Sequence, residues 1–174
     1  MESVLERARS VRLMIFDVDG VLTDGRIYYS DSGEEMKAFS TLDGHGIRML
    51  MASGVRVAIL TGRRSDVVSH RARNLGIVDV LQGVDDKRSA FAGLTESLDL
   101  EPANCGYMGD DLVDLPVLRR CGFAAATREA PDVVRQHAHF VATQPAGAGA
   151  AREVCEIVMR AQGTLEAAIA PYLA

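Results

Sequence analysis

"MIFDVDGVLTDG", running from Met14 to Gly25, places Asp17, Asp19 and Asp24 within eight residues, directly after an apolar run. The run "VRLMIFDV" (11–18) has the length of one buried strand, and Gly20 breaks it at once. The strand therefore ends in an acidic turn. Two carboxylates about 4 Å apart repel by roughly 4 kcal/mol at an effective dielectric of 20. Such a cluster needs a cation, and hard oxygen donors with no histidine or thiol beside them suit Mg²⁺.

The same strand-then-polar-end pattern repeats along the chain. "VRVAIL" (55–60), "VDVLQ" (78–82), "CGYMG" (105–109), "FAAAT" (123–127) and "HFVAT" (139–143) read as further buried strands. Amphipathic stretches at 44–53, 65–75, 86–98, 112–120, 131–137 and 150–162 separate or follow them, with Gly54 and Gly76 as helix stops. This alternation predicts an α/β fold, a Rossmann-like doubly wound parallel sheet, as a single domain over residues 1–174. "RIYYSDSGEEMKAF" (26–39) breaks the pattern, and Asp31-Ser32-Gly33 marks it as an inserted β-hairpin. Residues 144–174 are expected to form a C-terminal tail with a Gly/Ala-rich start at 146–150. A chain cut after Thr143 is expected to keep a metal-binding fold.

Composition sets the outer limits. The chain has 174 residues, 48% of them hydrophobic, enough for a full core. A net charge of −5 and the lack of any basic run argue against a nucleic-acid partner. No apolar run approaches membrane-spanning length, and "MESVLERARSVRLMIF" lacks a signal-peptide pattern. Cys105, Cys121 and Cys155 show no metal spacing and read as reduced core thiols, so a cytoplasmic location is expected.

In open α/β sheets ligands sit at the carboxyl ends of strands. Asp17 and Asp110 end two of them and are the expected metal carboxylates, with the backbone carbonyl of Asp19 as a third ligand. Thr61 and Gly62 offer a hydroxyl and an unshielded N–H at a helix start, which suits a phosphate. Lys87 adds a mobile positive charge. An aspartate beside a metal and a lysine can attack phosphorus, and a second one two residues on can protonate the leaving alcohol.

"DVDGVLTDG", "LTGR", Lys87 and "GDDLVD" together resemble the four motifs of the haloacid dehalogenase superfamily, in order and on the expected elements. The resemblance implies that Asp17 is the nucleophile and Asp19 the general acid/base. It implies that Thr61 and Lys87 hold the phosphoryl group, Asp110 binds Mg²⁺, and Asp111 and Asp114 support them. Roughly 40 residues lie between Asp19 and Thr61 and about 25 between Thr61 and Lys87, too few for a cap domain. Capless members usually act on large substrates or close the site by oligomerisation, and a homotetramer is implied.

A finer match spans nearly the whole chain. "DGRIYYSDSGEEMKAFSTLDGHGIRML", "TGRRSDVVSHRARNLGI", "LQGVDDK" and "GAGAAREVCEIVMRAQG" resemble the 3-deoxy-D-manno-octulosonate 8-phosphate phosphatases. The implied substrate is an eight-carbon keto-sugar acid phosphate of lipopolysaccharide synthesis. Its carboxylate needs a cation, for which Arg63 and Arg71 on one helix are expected. Ser40, Thr41, Asp43 and Gly44 of "STLDG", with Arg48 one turn on, are expected to reach sugar hydroxyls, and Asp43 to cap its own helix. Ala146-Gly147-Ala148-Gly149 departs from the family's Gly-Gly-x-Gly. A nine-carbon ulosonate 9-phosphatase remains an alternative, as does a catalytically silent binding module. A phosphomutase would normally carry a cap.

Overall fold

The computed structural model describes residues 2–173. Helix α1 (Glu2–Arg9) leads into strand β1 (Leu13–Phe16), and a two-stranded hairpin, β2 (Tyr28–Tyr29) and β3 (Glu35–Met36), precedes α2 (Thr41–Ala52). Then β4 (Arg56–Thr61), α3 (Asp66–Leu75), β5 (Asp79–Gln82) and α4 (Lys87–Ser97) alternate. The second half holds β6 (Cys105–Gly109), α5 (Leu115–Leu118), β7 (Phe123–Ala126), α6 (Asp132–Arg135) and β8 (Phe140–Val141). It ends in α7 (Ala150–Ala161) and α8 (Leu165–Ile169).

The six longer-range strands form one parallel sheet in the order β5-β4-β1-β6-β7-β8, so the expected doubly wound sheet is present. The chain builds outward from β1 on one side, then crosses to build outward on the other. Strand β1 is buried along its whole length because helices cover both faces. Leu13 and Ile15 meet Phe91 and Val117 in one layer, while Met14 and Phe16 meet Leu50 and Val158 in the other. The reversal of strand order at β1 opens a crevice at the carboxyl ends of β1, β4 and β6.

The expected hairpin is present, turning at Gly33 with φ of +82°. Two segments differ from expectation. Helix α1 was not anticipated from its charged sequence; it packs Ala8, with Val4 and Leu5, on the core. The C-terminal stretch is no tail: Ala150, Ala151, Val154, Cys155, Ile157, Val158 and Met159 of α7 are buried against α2 and the sheet. Gly147 packs on the loop that follows Asp19, donating its N–H to Val21 O at 3.0 Å. With φ of +63°, a Cβ there would lie 2.6 Å from the Thr23 carbonyl carbon, so only glycine fits.

Asp43 also differs. Ser40, not Asp43, caps α2, its Oγ accepting the Leu42 N–H at 3.1 Å and the Asp43 N–H at 3.4 Å. Asp43 points away from the crevice and caps α7 instead, accepting N–H bonds from Arg152 at 2.8 Å and Gly149 at 3.3 Å. The orphan amides of the first turn and the helix dipole favour an anion there. Burial lifts the Asp43 carboxyl above its ordinary value, and the Arg152 and Gly149 amides pull it back. Asp43→Ala should therefore cost about 2–3 kcal/mol of stability by denaturant unfolding. A raised KM with unchanged stability would instead mark a substrate contact.

Candidate active site

Asp17 follows β1 directly, and its N–H donates to Met108 O of β6 at 3.0 Å, which extends the sheet pairing to the nucleophile position. Lys87 is the first residue of α4, set there because Asp86 caps the helix through the Arg88 and Ser89 N–H groups. Its buried ammonium donates to Asp17 Oδ2 at 2.7 Å and to Asp114 Oδ1 at 2.6 Å. Asp110 and Asp111 follow β6, and Thr61 ends β4 beside Gly62 and Arg63. Asp17, Asp19, Thr61, Gly62, Arg63, Lys87, Asp110 and Asp111 all line one cleft of about 430 Å³.

Asp17, Asp110 and Asp114 bring carboxylate oxygens within 4.8 Å of one another. Asp114 is not free to bind a cation. Its Oδ1 accepts Lys87 and the Tyr107 hydroxyl at 2.5 Å, and its Oδ2 accepts the Asp110 and Asp111 N–H groups at 2.9 and 3.1 Å. It is the post that holds Lys87 and the turn carrying Asp110. Each Asp17 oxygen accepts one hydrogen bond, Oδ1 from the Val18 N–H at 2.7 Å and Oδ2 from Lys87, which leaves each a free lone pair, and the Asp110 carboxylate accepts none among the described residues. Gly20 lets Asp110 approach: a Cβ on it would lie 2.0 Å from Asp110 Oδ2.

Electrostatics point the same way. Burial pushes Asp17 up to about 6, with Lys87 opposing and Asp114 assisting. Burial, then the charges of Asp114, Asp17 and Asp111, push Asp110 up to about 8. Burial disfavours the charged form of Lys87, yet Asp17 and Asp114 outweigh it and raise its pKa. With all three carboxylates ionised, one ammonium would leave two negative charges uncompensated, and that cost is what the raised values of Asp17 and Asp110 express. All donors are hard oxygens, so the residues fit a divalent cation of the Mg²⁺ type.

The other anticipated substrate residues are not gathered here. Arg71 lies roughly 8 Å along α3 from Asp66, on the side facing α2. There its guanidinium donates to Ser40 O at 2.9 Å, stacks 5.8 Å from the Phe39 ring centre and covers Gly44. Ser40 serves α2 as its cap, Thr41 is an exposed first-turn residue, and Asp43 holds α7. Arg48 lines a separate groove with Thr164 and Tyr172. Within one chain, Arg63 is the guanidinium that reaches the cleft.

Two participants escaped sequence reading. Tyr107 is a core residue by pattern, and only its need for a hydroxyl partner marked it. Lys37 lies in the returning hairpin strand region and makes an ion pair with Asp19. The signal was a lone lysine in a segment that leaves the acidic turn and comes straight back.

Comparison with known proteins agrees with this geometry. A profile of haloacid dehalogenase-like hydrolases matches residues 71–154. The chain is 44% identical over 167 residues to the 3-deoxy-D-manno-octulosonate 8-phosphate phosphatase KdsC of Yersinia pestis, covering 96% of this chain and 89% of that protein. The crystal structure of a probable YrbI family phosphatase from Pseudomonas syringae pv. phaseolica superposes with a TM-score of 0.99 at 48% identity, covering 100% and 99% of the two chains. That of the Moraxella catarrhalis 3-deoxy-D-manno-octulosonate 8-phosphate phosphatase, in complex with magnesium, phosphate and KDO, superposes with a TM-score of 0.97 at 42% identity, covering 99% of each. With identity at this level across nearly its full length, the chain belongs to the 3-deoxy-D-manno-octulosonate 8-phosphate phosphatases, within the haloacid dehalogenase-like hydrolases.

Proposed function

We propose that this chain is a Mg²⁺-dependent phosphomonoesterase acting on 3-deoxy-D-manno-octulosonate 8-phosphate through an aspartyl-phosphate on Asp17. The observation that carries the reading is the Asp17 carboxylate, held by Lys87 in a cleft that also presents Thr61, Gly62 and Asp110. An Asp17 oxygen attacks phosphorus and the ester P–O bond breaks. The departing alcohol takes its proton from Asp19. Water then attacks the acyl phosphate, Asp19 takes the proton back, and inorganic phosphate leaves with Asp17 restored. Thr61, the Gly62 N–H and Lys87 bind the phosphoryl oxygens throughout, and Arg63 meets the sugar acid. Asp17 and Asp110, with the Asp19 carbonyl, would hold Mg²⁺, which offsets the charge of phosphate and carboxylate when they meet.

Ile27, Tyr29 and Met36 of the hairpin are 47%, 60% and 56% exposed, an apolar surface that a hairpin this short cannot bury alone. Packing of these hairpins in a homotetramer covers them and walls the cleft. Four chains by ultracentrifugation support this; a fully active monomer overturns it. The described residues include no helix long and apolar enough to cross a membrane. Three free cysteines, all buried, favour a cytoplasmic place of work.

The test is a comparison of kcat/KM across keto-sugar acid phosphates. The eight-carbon 8-phosphate should exceed a nine-carbon ulosonate 9-phosphate by at least about tenfold, the scale of one or two changed contacts. A reversed preference moves the chain to the nine-carbon alternative. Chelator should abolish turnover and Mg²⁺ restore it, with Asp110→Ala raising the Mg²⁺ needed; an undiminished rate in excess EDTA rejects the metal assignment.

A further inference from the structure

Asp19 sits between two cations that come from different elements. Lys37, reaching back from the hairpin, donates to Asp19 Oδ1, while Asp19 Oδ2 faces Arg63 Nε at 3.7 Å. The Lys37 side chain is 1% exposed and has one other partner, Glu35 Oε1 at 3.4 Å. Glu35 in turn accepts Arg63 at 2.9 Å, and the same guanidinium nitrogen donates to the Tyr29 hydroxyl at 3.2 Å. The hydrogen bond from Ser65 holds the Glu35 carboxyl below its ordinary value, burial opposes it, and Arg63 and Lys37 lower it further. Asp19, Lys37, Glu35 and Arg63 thus close a ring that ties the hairpin to the catalytic turn.

Lys37 does not line the cleft, whereas Asp19 and Arg63 do. Burying an ammonium costs several kcal/mol before its partners compensate, and an apolar side chain would anchor a hairpin more cheaply. A buried charge aimed at one oxygen of one carboxylate has a use that an apolar anchor lacks: it sets the rotation of that carboxyl group.

We propose that Lys37 is the positioning residue for proton transfer by Asp19. With Oδ1 held by Lys37, Oδ2 is left facing the cleft as the oxygen that carries the exchanged proton. It gives that proton to the departing alkoxide as the P–O bond breaks, and regains one from the attacking water. Lys37 keeps its own proton throughout. The hairpin then works in its own chain as the holder of the acid/base, in addition to any wall it builds between chains. The inference rests on the reading of Asp19 as acid/base, and small displacements of such a group cost large factors in rate.

The test compares kcat/KM, which reports the steps through loss of the alcohol, for the sugar phosphate and for p-nitrophenyl phosphate. The first leaving group needs a proton and the second needs little. Lys37→Met should lower kcat/KM on the sugar phosphate about 30-fold and on p-nitrophenyl phosphate no more than about threefold. Lys37→Arg, which keeps a donor, should recover most of the loss. Lys37→Gln serves in place of the methionine variant if thermal unfolding shows that variant to be misfolded. Equal losses on both substrates, or none on either, overturn the role. Asp19→Asn, run alongside, separates the two levels. If it discriminates between the substrates and the Lys37 variants do not, the Lys37 inference alone fails. If it too hits both substrates equally, the acid/base reading fails and the Lys37 role with it.

Discussion

Asp17→Asn should abolish turnover, by a factor on the order of 10⁴ or more, and leave the protein folded. Asparagine has the same shape, so its amide oxygen still accepts the Lys87 ammonium that Asp17 Oδ2 accepts at 2.7 Å, while its NH2 replaces the Oδ1 that accepts the Val18 N–H and that one bond is lost. It is, however, too poor a nucleophile to displace an alkoxide from phosphorus, and loss of a covalent nucleophile removes factors of this size. Stability should change little in the metal-free protein. Burial raises the Asp17 pKa to about 6, so the ionised carboxylate is a liability in the folded state. The sign follows from linkage. Below the unfolded value near 3.8 the raised pKa has no effect, and the folded state loses ground as pH climbs from there through about 6. The asparagine variant lacks that loss, which offsets the missing Val18 bond, so at neutral pH and without metal it should unfold within a few degrees of wild type. Substantial hydrolysis by a variant free of deamidated protein would sink the covalent mechanism. A large drop in its melting temperature would show that Asp17 is needed for the fold.

A chain ending at Thr143 should not fold, contrary to what its sequence first suggests. Helix α7 contributes Val154, Ile157, Val158 and Met159 to the core, all buried to within a few per cent. At about 2 kcal/mol for each such side chain their removal costs on the order of 8 kcal/mol, comparable with the whole stability of a domain. The cut also strips Asp43 of both amides that hold its buried carboxylate, and Val21 O of the Gly147 N–H. A chain ending at Gly163 keeps all of these. It loses α8, whose Leu165, Ala168 and Ile169 are only half-buried on the core, and should melt a few degrees lower with activity on p-nitrophenyl phosphate retained. Circular dichroism melts of the two chains decide the matter. A cooperative, Mg²⁺-binding protein of residues 1–143 would refute this account of α7.

The set of elements and the centre of the cleft are legible in the residues alone. Short apolar runs such as "LMIF" and "VAIL" are too short for core helices and fit strands buried on both faces, and the amphipathic stretches between them fit the covering helices. Asp17, Thr61 and Asp110 lie at or just beyond strand ends, so a parallel sheet brings them to one rim, and Lys87 joins them from the start of the helix that follows β5. Their chemistry is carried by residue type, and the sheet does the gathering.

What the helix and hairpin side chains face is settled by packing across the whole fold. Asp43 meets Arg152 across 109 positions of chain, and nothing local to "STLDG" shows that α7 will begin against it. Arg71 and Arg63 come from one stretch of chain, yet Arg63 precedes α3 and turns into the cleft while Arg71 turns towards α2. Arg48 likewise faces the C-terminal segment. The run 150–161 has an amphipathic pattern that fits a surface helix or a core layer equally well until α2 is laid beside it. Lys37 is the sharpest case: its charge predicts exposure, and only the return of the hairpin onto the acidic turn puts it at Asp19. Periodicity tells which residues share a face of one element. The partner of that face is set by long-range packing, where the free energy depends on the whole arrangement at once and no short window of sequence contains it.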